Sequence, residues 1–238
     1  KSSDGWQLSD YELDDDELIE TDAKAQNAYQ DYTLNQKLAY KPTPKLDFYI
    51  EGSLYEKEIY NPHSVRSYDY NYEDLTYGAG AQYQLDDRDY VSLDYHHDKY
   101  LYFYRYNQEY RDYTEGDRKQ NNDQRLDNVR TKYVNHISGN NTLTLGADYM
   151  NEQMFSDDRV IGGEAEAYTM ALYAQEELTF FDAMDVVAGV RYVDHKEFGN
   201  AFTPKLSVLY NTGNLNLRGT YGFGFKAPTL KEQPNGSE

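Results

Sequence analysis

Leu215-Asn216-Leu217-Arg218-Gly219-Thr220-Tyr221-Gly222-Phe223-Gly224-Phe225-Lys226 alternates, residue by residue, between an apolar or aromatic side chain or glycine and a mostly polar one. Side chains of an extended strand point alternately to its two sides, so the pattern predicts a β-strand with one apolar face. Upstream of it, Asn211-Thr212-Gly213-Asn214 supplies a tight turn, and the strand before that turn carries Leu206, Val208 and Tyr210 on one parity. The two strands form a hairpin.

The same unit recurs toward the N-terminus. Short turns are predicted at Lys41-Pro42-Thr43-Pro44, Asp86-Asp87-Arg88-Asp89, Ser138-Gly139-Asn140-Asn141 and near Phe181-Asp182-Ala183. With the first hairpin this makes five, or about ten strands. Leu75, Tyr77, Ala79, Ala81 and Tyr83 oppose Thr76, Gly78, Gly80, Gln82 and Gln84; Val91, Leu93 and Tyr95 oppose Ser92, Asp94 and His96; Leu143, Leu145, Ala147 and Tyr149 oppose Thr142, Thr144, Gly146 and Asp148. Between hairpins the links read as long hydrophilic loops, from Glu56 to Asn71, Asp98 to Gln124 and Asn151 to Glu166, with Asp194 to Ala201 short. An apolar outer face, a polar inner face, short turns at one end and long loops at the other are the marks of a transmembrane antiparallel β-barrel, all-β in class. On that reading the turns are periplasmic. Tyr40, Tyr83 and Tyr210 then form one aromatic girdle beside them, and Tyr95, Tyr149, Tyr192, Tyr221 and Phe223 form a second toward the outer leaflet.

Composition agrees with strands in a bilayer and excludes several other classes. The mean hydropathy of -0.95 is that of a solvated chain, yet aromatic residues make up 16%, with 27 Tyr against 9 Phe and one Trp. Disordered chains are poor in aromatics. No run approaches the roughly 20 apolar residues of a transmembrane helix, a test to which barrel strands are invisible. A formal net charge of -19, from 23 Lys+Arg and 42 Asp+Glu, is ill suited to nucleic acid. Absence of cysteine removes disulfides, thiol nucleophiles and thiolate zinc sites. Neither G-x-S-x-G, H-E-x-x-H nor a phosphate-binding glycine loop occurs, so no catalytic residue is nominated and an enzyme is not expected. A soluble Tyr-rich sheet protein remains the rival fold, and it leaves the polar inner parity unexplained.

Phe202-Thr203-Pro204-Lys205-Leu206-Ser207-Val208-Leu209-Tyr210, followed by Leu215 through Lys226 and then Ala227-Pro228-Thr229-Leu230-Lys231-Glu232, closely resembles a mid-barrel signature of TonB-dependent outer-membrane receptors. The resemblance implies part of a barrel of about 22 strands normally filled by an N-terminal plug. The whole of residues 1–238 is then a partial barrel domain, an internal fragment without plug, TonB-contacting segment or closing strand. Ten strands cannot close such a barrel, and unpaired edges in lipid are costly, so further strands are expected elsewhere. The implied function is TonB-dependent active uptake of an iron complex across the outer membrane of a Gram-negative bacterium. Haem is the first ligand expected, a siderophore or cobalamin the alternative, and a passive porin-like barrel the rival class. Implied partners are the TonB energy-transducing complex, outer-membrane lipid, the iron complex or haem, and a haem-carrying accessory lipoprotein. No intrinsic cofactor is expected.

Phe225-Lys226-Ala227-Pro228 is similar to the FRAP or YRAP box of haem receptors, with Lys in place of Arg. Among the histidines, His96 has inner parity and is the leading candidate for an axial haem ligand, whereas His97 should point outward. The adjacent Tyr100, Tyr102, Tyr104 and Tyr106 offer an aromatic surface. These residues, His96, His97, Tyr100, Tyr102, Tyr104 and Phe225 to Pro228, are the expected ligand contacts. Asp14-Asp15-Asp16-Glu17, with Glu20 and Asp22, offers hard oxygen ligands for Ca²⁺ but lacks EF-hand spacing and reads better as a solvated loop.

Overall fold

The structure is a computed structural model that describes all residues except 8–10, 15–16, 21–23, 25, 64, 182, 229 and 231–238; the side chains of 12–18 are likewise not described. The acidic run and Asp22 therefore lie largely outside the described residues. Three short strands open the chain, β1 (Ser2–Ser3), β2 (Tyr11–Asp14) and β3 (Glu17–Glu20). Ten further strands follow: β4 (Ala28–Thr43), β5 (Leu46–Tyr60), β6 (Tyr68–Gln84), β7 (Tyr90–Tyr106), β8 (Arg118–Ser138), β9 (Asn141–Phe155), β10 (Glu164–Phe180), β11 (Met184–His195), β12 (Gly199–Asn211) and β13 (Asn216–Gly222). They form one antiparallel sheet in the order β1-β4-β5-β6-β7-β8-β9-β10-β11-β12-β13, while β2 and β3 make a separate ribbon. Each strand from β4 onward is thus hydrogen-bonded to its neighbour in sequence, as in an up-and-down barrel.

Pairing fixes which side chains share a face. Tyr77 lies opposite His97, Ala79 opposite Tyr95, and Ala81 opposite both Phe48 and Leu93. Across β8 to β11, Thr131, Ala147, Leu172 and Tyr192 form one cross-strand row. This outer face carries the apolar band, and its large side chains have no cover from the chain itself: Leu93 is 54% exposed and Leu172 62%. Tyr40, Tyr83 and Tyr210 are exposed at the short-turn end, and Tyr149, Tyr192, Tyr221 and Phe223 at the other. Inner-face glycines serve packing across the sheet. A β-carbon at Gly80 would overlap the Tyr49 ring, and one at Gly146 the Tyr173 ring, so each glycine is a seat for a tyrosine lying across its strand.

The expected long loops are mostly strand. β5 runs on to Tyr60, β7 to Tyr106, and β8 begins at Arg118, leaving links only at 61–67, 107–117, 156–163 and 196–198. Their hydrophilic sequences keep the two-residue alternation, and outside a bilayer a strand needs no apolar outer face. Beyond the girdle most outer side chains on these strands turn polar or charged, Glu56 and Glu58, Asn71 and Glu73, Lys99, Arg125 and Asp127, Asn151 and Gln153, Glu164 and Glu166, Asp194, with Leu101, Phe103 and Phe155 as apolar exceptions. Hydrogen bonds and ion pairs knit this upper outer surface. Glu58 accepts from Gln30 Nε2 at 2.6 Å, Tyr60 Oη at 2.6 Å and Asn71 Nδ2 at 3.0 Å. The first turn also sits later than expected, at Pro44-Lys45, because a bulge between Tyr40 and Thr43 absorbs Pro42 within β4.

Candidate ligand-binding surface

Tyr68-Asp69-Tyr70-Asn71-Tyr72 at the start of β6 and Tyr100 to Tyr106 at the end of β7 both place tyrosine on every second residue. Register then sets them side by side on the inner face, Tyr68 opposite Tyr106, Tyr70 opposite Tyr104 and Tyr72 opposite Tyr102. The rings pack both diagonally and directly across: Tyr68 stacks on its diagonal neighbour Tyr104 at 4.1 Å and 30°, Tyr72 on its register partner Tyr102 at 4.9 Å and 13°, and Tyr102 meets Tyr104 edge-on at 5.4 Å. Two cations frame this wall. The Arg66 guanidinium lies 5.9 Å from the Tyr68 ring centre and 5.7 Å from that of Tyr70, and Arg159 lies 5.9 Å from that of Tyr102. Arg66 also donates to the Tyr68 hydroxyl at 3.1 Å, which pushes its own pKa upward.

The links close the wall's upper rim. Tyr106 stacks on Tyr113 at 4.2 Å and 7° and on Tyr110 at 6.2 Å, and Gly116, at φ +92°, lets the 107–117 link fold back so that its N–H donates to Tyr106 O at 2.8 Å. Asn107 Nδ2 donates to Asn61 O at 3.2 Å and Asp69 Oδ1 at 3.1 Å, joining this link to 61–67. Lys119 Nζ pairs with Asp158 at 3.0 Å, joining the base of β8 to 156–163. Beside Tyr102, Asn122 is 2% exposed and its Oδ1 has no protein partner. The assembled surface offers aromatic rings, phenolic donors and acceptors and two guanidinium groups, while the Asn122 amide is buried behind it. It suits a flat, aromatic or conjugated ligand with polar edges.

Of the residues singled out in the sequence, Tyr100, Tyr102 and Tyr104 belong to this wall. His96 shares its face but lies below it, between Gly78 and Asn128, about 13 Å from Tyr100 at the rise of a strand. His97 is on the other face, stacked on Tyr77 at 4.7 Å with Nδ1 2.8 Å from Asp127 Oδ1, so it serves the girdle and is corrected out of the ligand set. Phe225, Lys226, Ala227 and Pro228 follow β13 in an irregular segment, and the ring contacts of the wall do not include Phe225. His195 is 3% exposed and accepts at Nδ1 from the Glu197 N–H at 3.1 Å, a structural role in its turn. Tyr68, Tyr70, Tyr72, Tyr110, Tyr113, Arg66 and Arg159 were not anticipated. The Tyr68-x-Tyr70-x-Tyr72 spacing was the available signal, hidden because the stretch read as loop. Among the described residues no group of three or more His, Asp or Glu is arranged to hold a metal ion.

Residues 5–237 match the family described as TonB dependent receptor-like, beta-barrel. Over 109 residues, 45% of this chain and 14% of the relative, it is 26% identical to the probable TonB-dependent siderophore receptor PirA of Acinetobacter baumannii. Solved structures share the fold. The siderophore receptor PirA from Pseudomonas aeruginosa superposes with a TM-score of 0.71 at 15% identity, over 85% of this chain and 35% of that one. A variant of the ferric enterobactin receptor PfeA from the same organism gives 0.70 at 15%, over 87% and 35%, and the ferric citrate transporter FecA gives 0.61 at 15%, over 83% and 36%. The chain thus spans about a third of the length of these receptors. A barrel of this kind turns its apolar face to lipid and its polar face to the lumen, and the chain belongs to the TonB-dependent receptor β-barrel family.

Proposed function

We propose that this chain is the ligand-facing part of an outer-membrane receptor for TonB-dependent uptake of an iron–siderophore complex in a Gram-negative bacterium. The observation that carries the reading is the tyrosine wall with Arg66 and Arg159. It stands on the lumen face above the lipid band, where a large iron complex arriving from outside is met first. Stacking and cation–π contacts recognise an aromatic or conjugated chelate without replacing the iron's own ligands. The names of the relatives favour a siderophore over haem, which reverses the order of ligands expected from the Phe225 to Pro228 box. The wall's role is recognition and not bond chemistry. Energy would come from the TonB complex acting through a plug, and an accessory haem lipoprotein is needed only on the haem reading.

His96 supports that second reading, since its imidazole is on the lumen-facing side of β7, and imidazole is an axial ligand for haem iron. The test uses the full-length parent receptor in detergent, titrated with ferric catecholate and hydroxamate siderophores and with haem, each followed by its own visible absorbance. A paired Tyr102→Ala, Tyr104→Ala change should lower siderophore affinity by about 2 kcal/mol, some thirtyfold. Undiminished binding in that variant removes the wall as the site. A Soret band lost in His96→Ala, without siderophore binding, selects haem.

A further inference from the structure

On the lipid-facing side of β8 to β11 lies a groove of about 490 Å³. Two cross-strand rows build it. Thr131 and Ala147 are its small floor, and Tyr149, Met170, Leu172 and Tyr192 stand around them. The hollow arises because the row from Thr131 through Ala147 to Leu172 places two short side chains beside long ones, on strands flanked by intact neighbours on both sides. Asp194, at its upper edge, marks where the outer surface turns polar.

The geometry points to a seat for a single acyl chain of a lipid in the loop-side leaflet. The groove is continuous with the apolar band and reaches up to the tyrosine girdle, whose Tyr149 and Tyr192 form part of its wall, so its floor at Thr131 and Ala147 lies at hydrocarbon depth. Its exposed lining is mainly apolar, from Val129, Ala147, Met170, Leu172 and the tyrosine rings, with Thr131 on the floor and Asp194 confined to the upper edge, so water finds few partners there. Backbone groups on these strands are already paired within the sheet, which leaves no ladder for another strand to join. Between lipid tails and an apolar wall there is no hydrophobic driving force, and selection rests on packing: a chain bridging over the hollow forfeits contacts that a chain lying in it makes on three sides. A seated chain is therefore ordered where annular lipid elsewhere on the band is not. The inference rests on the membrane reading of the outer face and is independent of the transported ligand.

The test reconstitutes the full-length receptor in phosphatidylcholine vesicles doped with a phospholipid that carries a diazirine on its acyl chain, and maps the adducts after irradiation by peptide mass spectrometry. Adducts should concentrate on β9 to β11 several-fold over β4 to β6, and Ala147→Phe, which fills the floor while keeping the face apolar, should abolish the excess. Leu172→Ala, which lowers a wall, should weaken it. Heat-modified gel mobility checks that each variant is folded. Uniform labelling around the band, or an excess insensitive to Ala147→Phe, overturns the seat while leaving the barrel in place. A receptor labelled nowhere overturns the membrane reading as well.

Discussion

Along the β6–β7 hairpin, the half beside the 85–89 turn and the half beside the 61–67 and 107–117 links carry one alternation with opposite sense. In the turn-side half the outer residues are Leu75, Tyr77, Ala79, Ala81, Tyr83, Val91 and Leu93, and the inner ones include Thr76, Gly78, Gly80, Ser92 and Asp94. In the link-side half the outer residues are mostly polar or charged, Asn71, Glu73, Lys99 and Arg105 beside Leu101 and Phe103, and the inner ones are tyrosines apart from Asp74. Backbone pairing is the same in both. What changes is the solvent of each face: lipid against the lower outer face, water against the upper one. The lower span, Leu75 to Tyr83, matches the about nine to eleven residues that cross a bilayer. Above that length the strand is free to turn its aromatics inward, and there they become a recognition surface.

The sharpest way to break this comparison is to place the same charge in both halves. Leu93→Arg should destabilise the full-length receptor by about 2–4 kcal/mol, since it sits within the hydrocarbon. Leu101→Arg, on the same face of the same strand but beyond the girdle, should cost less than about 1 kcal/mol. Denaturant unfolding in lipid vesicles measures both, and equal costs would mean that the band does not end where the sequence pattern inverts.

Gly80→Val and Gly146→Val probe the inner face of the lower half, where a side chain meets a tyrosine ring. Each should cost about 1–3 kcal/mol by displacing Tyr49 or Tyr173. Gly139→Ala, in a short turn with open space around it, should be close to neutral in the same unfolding assay.

Arg66→Ala sharpens the upper half alone. Loss of its cation–π and hydrogen-bonding partner should weaken ligand binding by about 1 kcal/mol, roughly fivefold, with unfolding unchanged. Arg66→Lys restores charge without the planar donor fork and should recover only part of the affinity in the same titration.

The smallest effect is expected at the 85–89 turn. Asp86 Oδ1 accepts the backbone N–H groups of Asp89 and Arg88, both at 2.9 Å, which holds its pKa below the ordinary carboxylate range. A folded pKa lower than the unfolded one means the contribution is present above the unfolded value and fades as pH falls through the folded one. The melting-temperature gap between wild type and Asp86→Asn should therefore narrow in acid, and a gap that widens there would contradict the assignment.

Much of this architecture was legible in residue order. The period-2 runs around Leu75 to Tyr83, Val91 to Tyr95 and Leu215 to Phe223 gave strand, face and turn, because in lipid only one parity tolerates apolar side chains. The same logic failed from Asp98 to Gln124 and from Glu56 to Asn71. There, hydrophilic composition reads as loop, although the two-residue alternation persists with its sense largely reversed. The parity of His97 is outward in sequence and structure alike, but only the contacts with Tyr77 and Asp127 show that it sits in the girdle and not among ligand contacts.

Strand identity, the lipid-facing parity and the placement of the short turns are thus properties of the sequence by itself, since each depends on neighbours one or two residues away. The pairing of Tyr68, Tyr70 and Tyr72 with Tyr106, Tyr104 and Tyr102, the arrival of Arg159 over Tyr102 and the groove above Ala147 were decided by tertiary structure alone. Each depends on register between strands or on a link folding back, and register is set by the summed pairing of whole strands, which no local stretch encodes.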